Sequence, residues 1–146
     1  MSTSIRKLEV SLLALRLGVA TVMLVWVVDK FVRPGHLTQI LEGLYGVSGV
    51  GEAIVMGVGI CQLLLVLAFL AGVAKTWTYG AILLLHAAST FVAWRLYLAP
   101  FEGSNILFFA AWPMLAACLA LFLMREQDRL WAIDKAQRPV FPGGAA

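Results

Sequence analysis

The chain has 146 residues, a mean hydropathy of +0.91, 62% hydrophobic residues and only 13% charged ones, about half the charged share of an ordinary soluble domain. No water-soluble fold of this size hides so much apolar surface. The small positive balance of +3 includes no basic run of the kind that tracks nucleic acid, which leaves an all-α integral membrane protein as the expected class.

A helix needs about 20 apolar residues to cross the ~30 Å hydrocarbon core, and four such runs predict a four-helix bundle forming a single membrane domain over 1–146. The first covers about 8–28; its length, its internal Arg16 and the lack of a small-residue cleavage site distinguish it from a cleaved signal peptide. Pro34-Gly35 stops it. In "HLTQILEGLYG", Leu37, Ile40, Leu41, Leu44 and Tyr45 recur at helical spacing opposite Thr38, Gln39 and Glu42. A short amphipathic helix over about 36–46 is therefore expected between spans one and two, lying on the outer surface, capping the bundle or merely connecting.

Span two covers about 50–72, with Ala53, Gly57 and Cys61 on one small-residue face that allows close helix contact. A tight turn at Ala74-Lys75 leads into span three, about 76–98, and "APFEGSN" breaks the chain before span four, about 105–124, where Pro113 predicts a kink. In the tail, 125–146, "REQDRLWAIDK" keeps Leu130, Trp131 and Ile133 and predicts a further interfacial helix, while the last residues carry no pattern.

Cations accumulate on the cytoplasmic side of membrane proteins. An even number of spans puts Arg6, Lys7, Lys75, Arg125, Arg129, Lys135 and Arg138 on one side and Lys30, Arg33 and Arg95 on the other, so both termini are expected in the cytoplasm. Trp26 and Trp94 fall near the outer limits and Trp77 and Trp131 near the inner ones, as interfacial belts require.

Polar groups at membrane depth are functional candidates because hydrocarbon offers them no partner. Arg16 can snorkel toward the cytoplasm and Glu9, in which case Lys should replace it, or it can meet an anion or polar headgroup inside the bundle. Gln62 can bridge two helices. His86 shares a helical face with Ser89, Thr90 and Tyr79, a seam expected to face the interior with a neutral imidazole. "ILLLHAAS" fits a loose pattern of quinone sites, in which an imidazole N–H meets a quinone carbonyl with a hydroxyl nearby; an interhelix hydrogen bond is the alternative. Cys61 and Cys118 form no CxxC and read as packing residues, and His36, in the outer loop, cannot join His86 in holding a haem. No metal-ligand set, covalent cofactor motif or catalytic residue is indicated.

"LRLGVATVMLVWVVDKF", "GICQLLLVLAFLAGVAKT", "SNILFFAA" and "REQDRLWAID" resemble, in order and spacing, the DoxX-like family of small four-helix bacterial membrane proteins, over Leu15 to Asp134. Arg16 and Gly18 resemble that family's Arg at the start of the first span, Asp29-Lys30-Phe31 its polar exit, Asn105 the Asn opening the fourth span, and Asp128-Arg129 with Asp134 the charged tail. Gln62 stands where such proteins usually carry Glu and cannot ionise, so no proton handling is implied there. The resemblance implies a bacterial inner-membrane protein linked to quinone-level redox complexes, including thiosulfate:quinone oxidoreductase subunits.

The expected function is a quinone-interacting or redox-associated subunit, and any enzyme activity would belong to a quinone-linked oxidoreductase of which the chain is one part. The alternatives are a non-catalytic assembly subunit that recruits a partner enzyme, and a small transporter. Quinone is the cofactor to be considered. The expected partners are the lipid bilayer and a membrane or periplasmic protein, with self-association left open and nucleic acid excluded.

Overall fold

The computed structural model describes residues 3–134, among which every regular element is helical. Helix α1 spans Thr3–Val32, α2 Pro34–Ile40, α3 Glu52–Leu70, α4 Lys75–Val92, α5 Trp94–Tyr97 and α6 Ala111–Leu123; a π-helical turn, Leu41–Tyr45, extends α2, and a 3-10 turn, Asn105–Ala110, precedes α6. Three stretches are long and apolar enough to cross a membrane: Thr3–Val32, Glu52–Leu70 and Asn105–Leu123. The sequence pattern predicts four. The helix that falls short is α4, because Lys75, Thr76, Thr78, His86, Ser89 and Thr90 lower its hydropathy.

The chain's punctuation follows from local chemistry. Pro34 sits in the first turn of α2, and the residue before a proline is excluded from helical geometry, so Arg33 leaves the helix at φ −136° and α1 ends. Gly46, at φ 67°, closes the π turn in the left-handed conformation that costs glycine least. Pro113 falls in the first turn of α6, just after the stretch Asn105–Leu123 changes from 3-10 to α-helix. It cannot donate to the carbonyl four residues back, and the preceding turn is wound as a 3-10 helix.

Helix α1 packs against α3 and α6, and α4 packs against the same two, so the four long helices surround one core; α2 folds over α1 and α3. That core is Leu12, Val19, Ala20, Met23 and Val27 of α1, Val66 and Phe69 of α3, Tyr79 and Ile82 of α4, and Cys118 and Leu121 of α6. Outward-facing apolar residues, Val25, Leu64, Leu84, Leu107 and Leu123 among them, form a surface far too apolar for a soluble monomer.

The tail departs from expectation. Residues 125–134 form turns instead of an interfacial helix. Trp131 takes a left-handed φ of 53°, and residues 133–134 pair with the α3–α4 turn: the Ile133 amide donates to the Ala71 carbonyl at 2.9 Å and the Asp134 amide to the Gly72 carbonyl at 3.2 Å. Asp128 and Ala132 are buried, while Trp131 is 77% exposed. The apolar spacing of Leu130, Trp131 and Ile133 is overridden because burying Asp128 against a cation requires the chain to turn back. Residues 135–146 of the expected tail, with Lys135 and Arg138, lie outside the described residues.

Candidate functional site

The densest polar cluster sits where α1 begins and α6 ends. Arg16 lies about four turns into α1, and its side chain points back toward the helix start, as helical side chains do. Lys75 and Tyr79 come from the first five residues of α4, and Asp128 from the returning tail. The Arg16 Nη1 atom is 3.4 Å from Asp128 Oδ2 and donates to Tyr79 Oη at 3.3 Å; Nη2 donates to the Leu130 carbonyl. Tyr79 in turn donates to Asp128 Oδ2 at 2.7 Å, and Lys75 Nζ to the Asp128 carbonyl at 2.7 Å. Both Arg16 and Asp128 have zero exposure.

Ionic partners removed from water repay the desolvation cost only when their hydrogen-bonding groups are satisfied. Here the pairing is nearly complete: among the described residues, only Arg16 Nε and Asp128 Oδ1 lack a partner in this cluster. The Phe69 ring closes the apolar side, edge-on to Tyr79 at 4.8 Å. Gly72 closes the other: at φ 62°, a Cβ there would lie 2.7 Å from both the Ala132 Cβ and Arg16 Nη1. Arg16 therefore neither snorkels to Glu9 nor waits for an external anion. Its partner is within the chain, and its guanidinium joins α1, α4 and the tail.

The sequence-predicted site residues separate into distinct places. Arg16 and Tyr79 meet. His86, Ser89 and Thr90 are together but apart from Tyr79, and they form no continuous seam: Ser89 is exposed, and its hydroxyl and that of Thr90 both donate to the His86 carbonyl, at 2.9 and 2.7 Å. His86 is half-buried and its Nε2 donates across to the Ala111 carbonyl of α6 at 2.9 Å. Among the described residues, Gln62 reaches only the Met23 sulfur on α1, at 4.0 Å. Cys61 is exposed and Cys118 buried, and both are free.

Two groupings escaped the sequence reading. Asp128 and Lys75 were legible only as a charged tail and a turn, because nothing in their spacing relates them to Arg16. At the opposite end, Asp29 accepts from Arg33 and lies 2.6 Å from His36 Nδ1, while the Trp26 ring stacks on His36 at 6.2 Å and Lys30 donates to the Trp26 carbonyl at 3.0 Å. The i, i+4 spacing of Asp29 and Arg33 was a usable signal; His36 joins them because Pro34 turns the chain.

Among the described residues no three His, Cys, Asp or Glu side chains converge as metal ligands would. Comparison with family models, with curated proteins and with solved structures finds no match to the chain.

Proposed function

We propose that the chain is a four-span, DoxX-like protein of the bacterial inner membrane with both termini in the cytoplasm, acting as a quinone-interacting subunit beside a redox partner. The reading takes α4 as the fourth span: its polar side chains bond to other helices, the returning tail or their own backbone, which lowers the cost of holding them in hydrocarbon. Arg16 and Asp128 neutralise one another, which weighs against the transporter alternative. The observation that carries the reading is His86, a half-buried imidazole in the α4–α6 contact that donates to the carbonyl of Ala111, the residue before Trp112, whose ring packs with Phe91 and Tyr97.

Isolation in mild detergent or nanodiscs, followed by lipid extraction and mass spectrometry, tests it. The expected result is a copurifying quinone together with a stoichiometric partner protein. A preparation with a partner and no quinone would instead support the assembly-subunit reading, which has one observation in its favour: the returning tail displays Trp131 and Ile133, both strongly exposed, on the same end as Trp77.

A further inference from the structure

The segment that follows α6, Arg125 to Asp134, is held on the bundle differently from the long helices. They pack through apolar side chains, and among the described residues the core and the side chains packed against it end at Met124. Within the segment only Asp128 and Ala132 are buried, while Trp131 and Ile133 are 77% and 70% exposed. Little apolar burial therefore opposes its departure. What fixes it is polar: the Asp128 carboxylate and the Leu130 carbonyl on Arg16, the Asp128 carbonyl on Lys75, and the Ile133 and Asp134 amides on the α3–α4 turn.

The closed arrangement also holds strain. Trp131 on the segment and Ala74 on the turn it meets both take left-handed backbone, at φ 53° and 47°, where the Cβ crowds a neighbouring carbonyl. Among the described residues no other side-chain-bearing position does so, so this strain is gathered at one contact. The buried Arg16 Nε and Asp128 Oδ1 atoms lack partners there, and water would satisfy both on opening. At the root, Arg125 is tied instead to the helices, donating to the Phe122 carbonyl at 2.8 Å and to the Thr76 hydroxyl on α4 at 3.2 Å. A pivot between Arg125 and Asp128 follows.

We propose that residues 126–134 are a releasable strap, which swings away as a unit while α1, α3, α4 and α6 stay packed, and in doing so uncovers Arg16, Tyr79 and Lys75. Segments held by few apolar contacts open at less cost than the whole fold. Closed, the Asp128 carboxylate blocks the guanidinium and the tyrosine hydroxyl as an internal anion. Open, two cations and an O–H donor stand at that end of the bundle without Asp128 between them. The strap is an autoinhibitory contact that decides whether this polar cluster is sealed or accessible.

Amide exchange followed by NMR on the full chain in nanodiscs tests this. In the unaltered protein the Ile133 and Asp134 amides should exchange well ahead of the Val66 and Leu121 amides of the core. Asp128→Asn removes the charge and keeps the shape; it should speed the strap amides by roughly tenfold or more, as expected for losing a charge-assisted hydrogen bond, and leave the core amides unchanged. Phenylglyoxal, which modifies accessible guanidinium groups, should label Arg16 faster in the variant by a similar factor, read by mass spectrometry. One common rate for strap and core amides would overturn the proposal, because the segment would then leave only when the bundle unfolds. So would strap amides that keep their rate in Asp128→Asn, or an Arg16 that stays unlabelled while those amides exchange, which is fraying of the segment's end alone. Should Asp128→Asn not fold, the order of strap and core amides and the labelling of Arg16 in the unaltered protein decide.

Discussion

At the scale of single residues, the Arg16–Asp128 pair governs what substitutions will do. Snorkelling would allow Lys at position 16, but a guanidinium that donates to Tyr79 and Leu130 while facing Asp128 uses a forked geometry that an ammonium cannot copy. Arg16→Lys is expected to lose about 1–3 kcal/mol through unpaired acceptors, and Asp128→Ala about 3–5 kcal/mol because it leaves Arg16 charged and alone. Equilibrium unfolding in detergent micelles checks both. The double variant Arg16→Met/Asp128→Ala should be milder than the sum of its parts, since it removes the orphaned charge as well as the pair; strict additivity would mean that the two do not interact.

At the scale of elements, the α3–α4 turn and the returning tail depend on one another. Gly72 and Ala74 both take left-handed backbone, at φ 62° and 47°, but for only one of them is the native residue suited to it. Ala74→Gly should stabilise the fold by up to about 1 kcal/mol, because the Cβ penalty disappears and the amide that Asp134 accepts from is kept. Gly72→Ala should do the reverse and displace the tail, since its Cβ would strike both Ala132 and Arg16. Limited trypsin digestion reads this directly: cleavage after Arg129 should accelerate in Gly72→Ala and not in Ala74→Gly, and equal rates in the two variants would contradict the pairing of turn and tail.

At the scale of the whole molecule, the closing of the bundle by its own tail requires the start of α1, the α3–α4 turn and the end of α6 to share one end, as the contacts among Arg16, Lys75 and Asp128 require. Most of the cations lie on that end, and the proposed orientation places it in the cytoplasm by the positive-inside rule. A reporter active only in the periplasm, fused to the C-terminus, should therefore be silent, while one inserted in the 46–50 loop should be active. The opposite pair of results would invert the proposed orientation without altering the fold.

Composition and hydropathy by themselves determined the helical class, the approximate limits of the long helices and the short element after Pro34, because these depend on local pattern and on proline's missing donor. His86 was also legible as an unusual group in an apolar helix, and Arg16 as a charge at depth. What only the tertiary structure decided was partnership. Asp128 lies more than a hundred positions from Arg16, and their meeting depends on the tail's turning back, a course opposed by its own helical spacing. The protonated nitrogen of His86 likewise depends on a carbonyl of α6 that no spacing within α4 could reveal. A buried charge or donor is satisfied by whichever group the fold brings within about 3 Å, and for both residues that group comes from a distant part of the chain.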